Sequence, residues 1–89
     1  MNEELIKLRK EIEAVDKDLA TLFNKRMDLV KKINNIKKKL NLDVLDKDRE
    51  KYLLDLNKNY IDDQEVLNYY QRLYKELLNI SKEYQKGGK

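Results

Sequence analysis

An apolar stripe runs without a helix breaker from Leu5 to Leu40. Leu5, Leu8, Ile12, Val15, Leu19, Leu22, Arg26, Leu29, Ile33, Ile36 and Leu40 follow one another at alternating steps of three and four. That spacing puts all of them on one side of a single α-helix. The chain has no proline, and its only glycines stand at 87 and 88, so nothing in this stretch interrupts the helix. A helix of about 39 residues is a rod of about 58 Å, at about 1.5 Å per residue. A compact body of this chain length has a radius of gyration of about 12 Å, or a diameter of roughly 30 Å. The rod is longer than any such body could cover, yet its stripe stays apolar to the end. A second copy of the chain, lying antiparallel along the first, is the simplest cover.

Arg26 alone breaks the apolar character of the stripe. A guanidinium keeps its proton, and enclosing it without a partner costs several kcal/mol or more. It therefore requires an anion on the protein-facing side of the helix, either a side chain or a ligand. Lys37 follows eleven residues later, a net rotation of only about 20° and an axial step of roughly 16 Å. Two long cations on one face at that separation can converge on one small dianion. Arg9 lies about 25 Å back along the axis from Arg26. It can join the same site only from the other chain of an antiparallel pair.

Composition narrows the chemistry. Charged residues make up 42% of the chain, well above the usual quarter, and the prevalence of Leu, Ile, Lys, Glu, Asp and Asn reads as all-α. With no cysteine and no histidine, no disulfide framework is available, and thiolate and imidazole metal ligands are absent. The expectation is that the protein uses neither metal nor cofactor. The net charge of +3 is mild, and the cluster Lys31, Lys32, Lys37, Lys38 and Lys39 reads as a solvated helix face. Neither the charge imbalance nor the module that nucleic-acid binding calls for is present. No apolar run reaches the roughly 20 residues of a membrane span, and Met1 to Lys10 is charged throughout, unlike a secretory leader. A cytoplasmic protein without nucleic-acid or membrane partners is expected.

Punctuation divides the chain into three helices. The first is expected over about Asn2 to Leu40. Asn41-Leu42-Asp43-Val44-Leu45 supplies turn formers, with Asp43 or Asp46 as the cap of a second helix that reaches about Asn57. A connector over Asn57 to Asp63 leads to a third helix ending near Gln85, and 87–89 is expected to be a disordered tail. The third helix carries Leu67, Tyr70, Leu73, Tyr74, Leu77 and Leu78 as apolar positions, and the series Tyr74, Leu78, Ser81, Gln85 continues one face at steps of four, three and four. Asp46, Arg49 and Glu50 share a face of helix two. Taken alone they read as a surface ion-pair cluster, just as Ser81 and Gln85 read as the end of a stripe. The six tyrosines and Phe23 read as core and interface filler.

Together these residues resemble the all-helical chorismate mutases. The resemblance is carried by Leu8-Arg9-Lys10-Glu11-Ile12 with Val15-Asp16, by Asn24-Lys25-Arg26, by Lys37, by Leu45-Asp46-Lys47-Asp48-Arg49-Glu50, and by Ser81 with Gln85 four residues on. Arg9, Arg26, Lys37, Asp46, Arg49 and Glu50 fall at the family's spacing without a gap. Ser81 and Gln85 need a small length change in the second connector, and between Asp55 and Ile80 the match is mostly apolar pattern. The domain so recognised spans residues 1–86.

The resemblance implies an intertwined homodimer of three-helix chains, an all-α helical bundle with two active sites, that converts chorismate to prephenate on the route to phenylalanine and tyrosine. It implies Arg9 of the partner subunit and Arg26 on the two carboxylates with Ser81 in support. Lys37 and Gln85 would donate to the ether oxygen as the catalytic pair. Glu50 would accept from the ring hydroxyl with Asp46 assisting through its backbone, and Arg49 would hold the acidic groups. The reaction is a unimolecular rearrangement without nucleophile, metal or proton transfer, which suits a chain lacking histidine and cysteine. Three other readings use the same residues: an isochorismate-pyruvate lyase on the same scaffold, a non-catalytic dimerisation module in which Arg26 pairs with an acid of its own protein, and a regulatory domain that keeps the fold without the activity.

Overall fold

In the computed structural model, residues 2–87 are described, and they form three helices joined by two short connectors: α1 (Glu3–Lys39), α2 (Lys47–Asn57) and α3 (Gln64–Gln85). Their starts are set by three capping residues. The side chains of Asn2, Asp46 and Asp63 each accept the backbone N–H three residues on, from Leu5, Arg49 and Val66, all at 3.0 Å. Each cap satisfies one of the donors that a helix start leaves unpaired. Glu3 and Glu4 occupy the first turn of α1 and Lys37, Lys38 and Lys39 the last, matching the sign of the helix dipole at both ends.

The end of α1 is closed by Asn41 at φ 55°. Its N–H bonds the Lys38 carbonyl and that of Leu42 the Lys37 carbonyl, at 3.3 and 2.8 Å. This is the paired closure of a helix that needs a left-handed residue just past the end, a position asparagine tolerates. Gly87, at φ 88°, closes α3 in a related way, its N–H reaching the Tyr84 carbonyl at 3.1 Å. It stands at the first position of the expected tail. The rest of the expected tail, 88–89, lies outside the described residues.

α3 is the element that both others touch. α2 returns antiparallel along it, Asn57 meeting Tyr70 and Glu50 meeting Lys82, and α1 crosses its later turns, while α1 and α2 do not pack on each other. The buried apolar residues are few: Val30 from α1, and Leu67, Tyr74 and Leu78 from α3. Leu73, expected on the apolar face of helix three, is 62% exposed. It sits on the flank of α3 that neither neighbour covers.

The stripe on α1 is mostly uncovered within one chain. Apart from half-buried Ile6, every residue from Asn2 to Lys25 is exposed. Further along, α3 docks on an edge of the stripe, where Arg26, Met27, Val30, Asn34 and Lys37 are buried or half-buried. Leu29, Ile33, Ile36 and Leu40 stay exposed. Arg26, expected inside a protein-facing stripe, is therefore only half-buried in the single chain. The molecule measures 57 × 26 × 19 Å with a radius of gyration of 16.7 Å, larger than the roughly 12 Å of a compact body of this length. No helix among the described residues is long and apolar enough to cross a membrane.

Candidate active site

The chemistry-bearing residues meet where α1 crosses α3. Arg26 Nη1 donates to Ser81 Oγ at 2.6 Å. Ser81 is buried and its own hydroxyl donates to the Leu77 carbonyl at 2.8 Å, so the serine offers Arg26 a fixed lone pair. The guanidinium carbon stands 5.9 Å from the centre of the Tyr74 ring, within the range of a cation–π attraction. Among the described residues, no carboxylate lies within ion-pair distance of Arg26. A cation is held in place by a neutral oxygen and an aromatic face, with its charge uncompensated.

Lys37, three turns beyond Arg26 and on the same side, donates through Nζ to the Val44 carbonyl at 3.0 Å. The bond pins the first connector against α1. An ammonium carries three donors, so two remain for other acceptors. Gln85 is half-buried at the end of α3, and its Oε1 is buried with no partner among the described residues. A buried polar atom without a partner is uncommon and marks a place where a ligand or water completes the bonding. Amide oxygen and nitrogen exchange places by a half-turn, so the same position can present a donor.

Glu50 faces α3 from the first turn of α2. Its Oε2 and Oε1 stand 3.1 and 3.4 Å from Lys82 Nζ. Asp46 is exposed and uses its side chain as the α2 cap. The Arg49 guanidinium lies over the Tyr52 ring at 5.3 Å, so the cation holding Glu50 in this chain is Lys82, not Arg49. Arg9 is exposed on the uncovered half of α1. The structure thus brings together Arg26, Ser81, Lys37, Gln85 and Glu50 around the α1–α3 crossing, and leaves Arg9, Asp46 and Arg49 at the periphery of the single chain.

The chorismate mutase type II family matches residues 8–86. The chain belongs to that family. All of Arg9, Arg26, Lys37, Asp46, Arg49, Glu50, Ser81 and Gln85 fall within the matched stretch. A relative described as a bifunctional chorismate mutase/prephenate dehydratase, from Aquifex aeolicus (strain VF5), is 42% identical over 53 residues, 60% of this chain. The matched stretch is 15% of that relative's length, so this chain spans only a small part of it.

Three residues of this chorismate mutase domain escaped the sequence reading. Asn34 is buried and donates through Nδ2 to the Gln85 carbonyl at 3.1 Å. It stands eight residues after Arg26, two steps of four along the same face, and that spacing was the available signal. Tyr74 lies beneath Arg26, and its place in the series that ends in Ser81 and Gln85 was visible. Lys82 had no signal in the sequence, since its partner is fixed only by the way α2 folds back on α3.

Behind Tyr74 a chain of contacts leads to α2. The Tyr70 and Tyr74 rings are 6.1 Å apart, and Tyr70 donates its hydroxyl to Asn57 Oδ1 at 2.8 Å. Asn57 in turn donates to the Leu53 carbonyl at 2.8 Å. Burial pushes the Tyr70 phenol above its ordinary value, with Tyr74 and Tyr60 adding to the shift and Arg26 opposing it.

Proposed function

We propose that the chain converts chorismate to prephenate as a homodimer, each site being completed by Arg9 of the partner subunit. The observation that carries this reading is the Arg26 guanidinium, half-buried, aimed by Ser81 and Tyr74, and neutralised by no acid among the described residues. A dimerisation module would be expected to pair that charge with its own carboxylate. A site for a dicarboxylate leaves it open.

The second copy is supported by two features. Leu8, Ile12, Val15, Leu19 and Leu22 are 49, 60, 57, 56 and 62% exposed, a continuous apolar face on a helix with nothing of its own chain beside it. The concavities next to the site, one bordered by Asn34, Tyr84 and Gln85 and the other by Lys37, Leu45 and Asp46, are also open to solvent. An antiparallel partner would cover the face and bring its Arg9 toward the Arg26 end.

Chorismate must fold its enolpyruvyl ether over the ring before it reacts. Two guanidiniums gripping two carboxylates fix position and orientation together, and holding a flexible substrate in its reactive shape removes part of the barrier. As the ether C–O bond breaks and the new C–C bond forms, negative charge builds on the ether oxygen. Lys37 Nζ and the Gln85 amide would donate to it, and a preplaced donor of that kind is worth roughly 100- to 1000-fold in rate. Glu50 would accept the ring hydroxyl. Asp46 and Arg49 would border the site from the start of α2, Asp46 through its backbone.

The test is an assay of the purified protein that follows chorismate absorbance together with prephenate and pyruvate. Loss of chorismate with stoichiometric prephenate is expected. Pyruvate release from isochorismate supplied in a parallel assay, with no prephenate formed from chorismate, would assign the chain to the lyase reaction, and no consumption of either by a folded dimer would leave it an interaction module.

A further inference from the structure

Of the ion pairs among the described residues, Lys82–Glu50 alone joins two helices. The other two, Lys32–Asp28 and Lys58–Asp55, are local, and every side chain in them is more than half exposed, against 27% for both Lys82 and Glu50. Lys82 also straddles the carboxylate, lying within 3.4 Å of both oxygens. It directly follows Ser81, the residue that aims Arg26.

We propose that Lys82 is a positioning residue of the site, which neutralises and orients Glu50 so that a carboxylate can stand beside a dicarboxylate substrate and accept its ring hydroxyl. The inference rests on the chorismate reading. An ionised glutamate close to a dianion is repelled by it, and like charges at contact range disfavour either the binding or the ionised form. A cation on the far side of the glutamate removes that repulsion without occupying the substrate. Geometry permits both contacts at once, because a carboxylate has about four lone-pair directions and an ammonium leaves some of them free. The mount matters as well. Ser81 and Lys82 are neighbours on one helix, so the grip on Arg26 and the grip on Glu50 are set by the same turn of α3. Lys82 thereby makes the hydroxyl contact a condition of tight binding, a selectivity against ring analogues whose hydroxyl is blocked.

The test compares wild type with Lys82→Met, Lys82→Arg, Glu50→Gln and the double variant Lys82→Met/Glu50→Gln, using chorismate as substrate and the thermal midpoint as a check of folding. Lys82→Met is expected to raise KM about tenfold with kcat within about threefold, the signature of a lost contact that serves ground state and transition state alike. Lys82→Arg should return KM to within about threefold of wild type, since it restores the charge and its donors. In the Glu50→Gln background, Lys82→Met should change KM by less than about twofold, because no carboxylate remains to be held. An unchanged KM in Lys82→Met, a full effect persisting in the Glu50→Gln background, or no recovery with arginine would each overturn the role of Lys82 while leaving wild-type turnover intact. If Lys82→Met does not fold, Lys82→Gln, which also removes the charge, takes its place alone and with Glu50→Gln, with the same expected and overturning results. A wild type that forms no prephenate removes the chorismate reading and this inference together.

Discussion

Asn34 of α1 donates its side-chain amide to the backbone carbonyl of Gln85, the last residue of α3, at 3.1 Å. That carbonyl is among the final four of its helix, which have no partner within the helix itself. One buried side chain therefore both satisfies the end of α3 and fixes where Gln85 stands relative to Lys37. Replacing Asn34 with alanine should cost about 1–3 kcal/mol through the bond lost and the carbonyl left unpaired. It should also lower kcat more than it raises KM, because the donor at the ether oxygen would no longer be held. Chemical denaturation and steady-state kinetics on the same preparation check both parts.

Arg26 separates the enzyme from the scaffold. Arg26→Leu should lower kcat/KM by roughly 1000-fold or more, because one carboxylate loses its two-pronged clamp. Stability should stay within about 1 kcal/mol of wild type or rise, as an apolar side chain in place of a half-buried charge removes a desolvation cost. Arg26→Lys keeps the charge but not the fork and should recover only part of the activity. A leucine variant that turns over normally would show that the substrate carboxylates lie elsewhere.

At Gln85 the prediction concerns pH. A carboxamide has no proton to gain or lose near neutrality, so the wild-type rate should not require acid conditions. In Gln85→Glu the donor exists only while the carboxyl is protonated. Its rate should fall about tenfold for each pH unit above the carboxyl's own pKa and recover in acid. The pH profile of kcat for the two proteins decides this, and an unchanged profile in the variant would remove Gln85 from the ether oxygen.

Tyr70 makes stability depend on alkaline pH. Burial, first, and then Tyr74 and Tyr60 raise its phenol above the ordinary value. The folded chain therefore keeps that proton to higher pH than the unfolded chain, which loses it at about pH 10. The native state binds more protons in that window, so stability is fully present below about pH 10 and is lost as pH rises through the folded value. Tyr70→Phe should weaken this alkaline decline, at a neutral-pH cost of about 1 kcal/mol for the bond to Asn57. Urea midpoints measured from neutrality into the alkaline range give the comparison.

The uncovered face of α1 should be the dimer interface. Leu19→Glu puts a charge into its middle, and sedimentation should show monomers where the wild type is dimeric. Activity should fall with the dimer fraction, because Arg9 then has no second chain to serve. A dimer that survives the change would mean that another surface joins the copies.

What could be read from the sequence and what could not divide along physical lines. Capping is local: of the two caps offered for helix two, Asp43 and Asp46, the second is the one used, and the starts expected near Asn2 and Asp63 fall within a residue of the observed ones. The face shared by Tyr74, Leu78, Ser81 and Gln85 was legible because a helix repeats at a known period, and the first three are buried with Gln85 half-buried. The division of the α1 stripe was not legible. A repeat of three and four gives the side of a helix, but not which neighbour takes which edge, and here Arg26 and Asn34 go to α3 and Lys37 to the first connector while Leu29, Ile33 and Ile36 stay exposed. Lys82, of which the sequence led us to expect nothing, stands against Glu50 where Arg49 was expected, for a similar reason. Which cation reaches Glu50 depends on how the second connector sets α2 against α3, a property of three-dimensional docking and not of spacing.

Because α1 and α2 meet only through α3, the cationic wall of Arg26 and Lys37 and the acidic wall of Glu50 have no direct mechanical link apart from the short strap that Lys37 ties to Val44. The third helix works as a shared axle. A shift of that axle by a fraction of a turn would move the Arg26 latch, the Glu50 latch and the amide at its tip together. Substitutions along its solvent side, remote from any substrate atom, are therefore a route by which turnover can be tuned without altering a single group that touches the reactant.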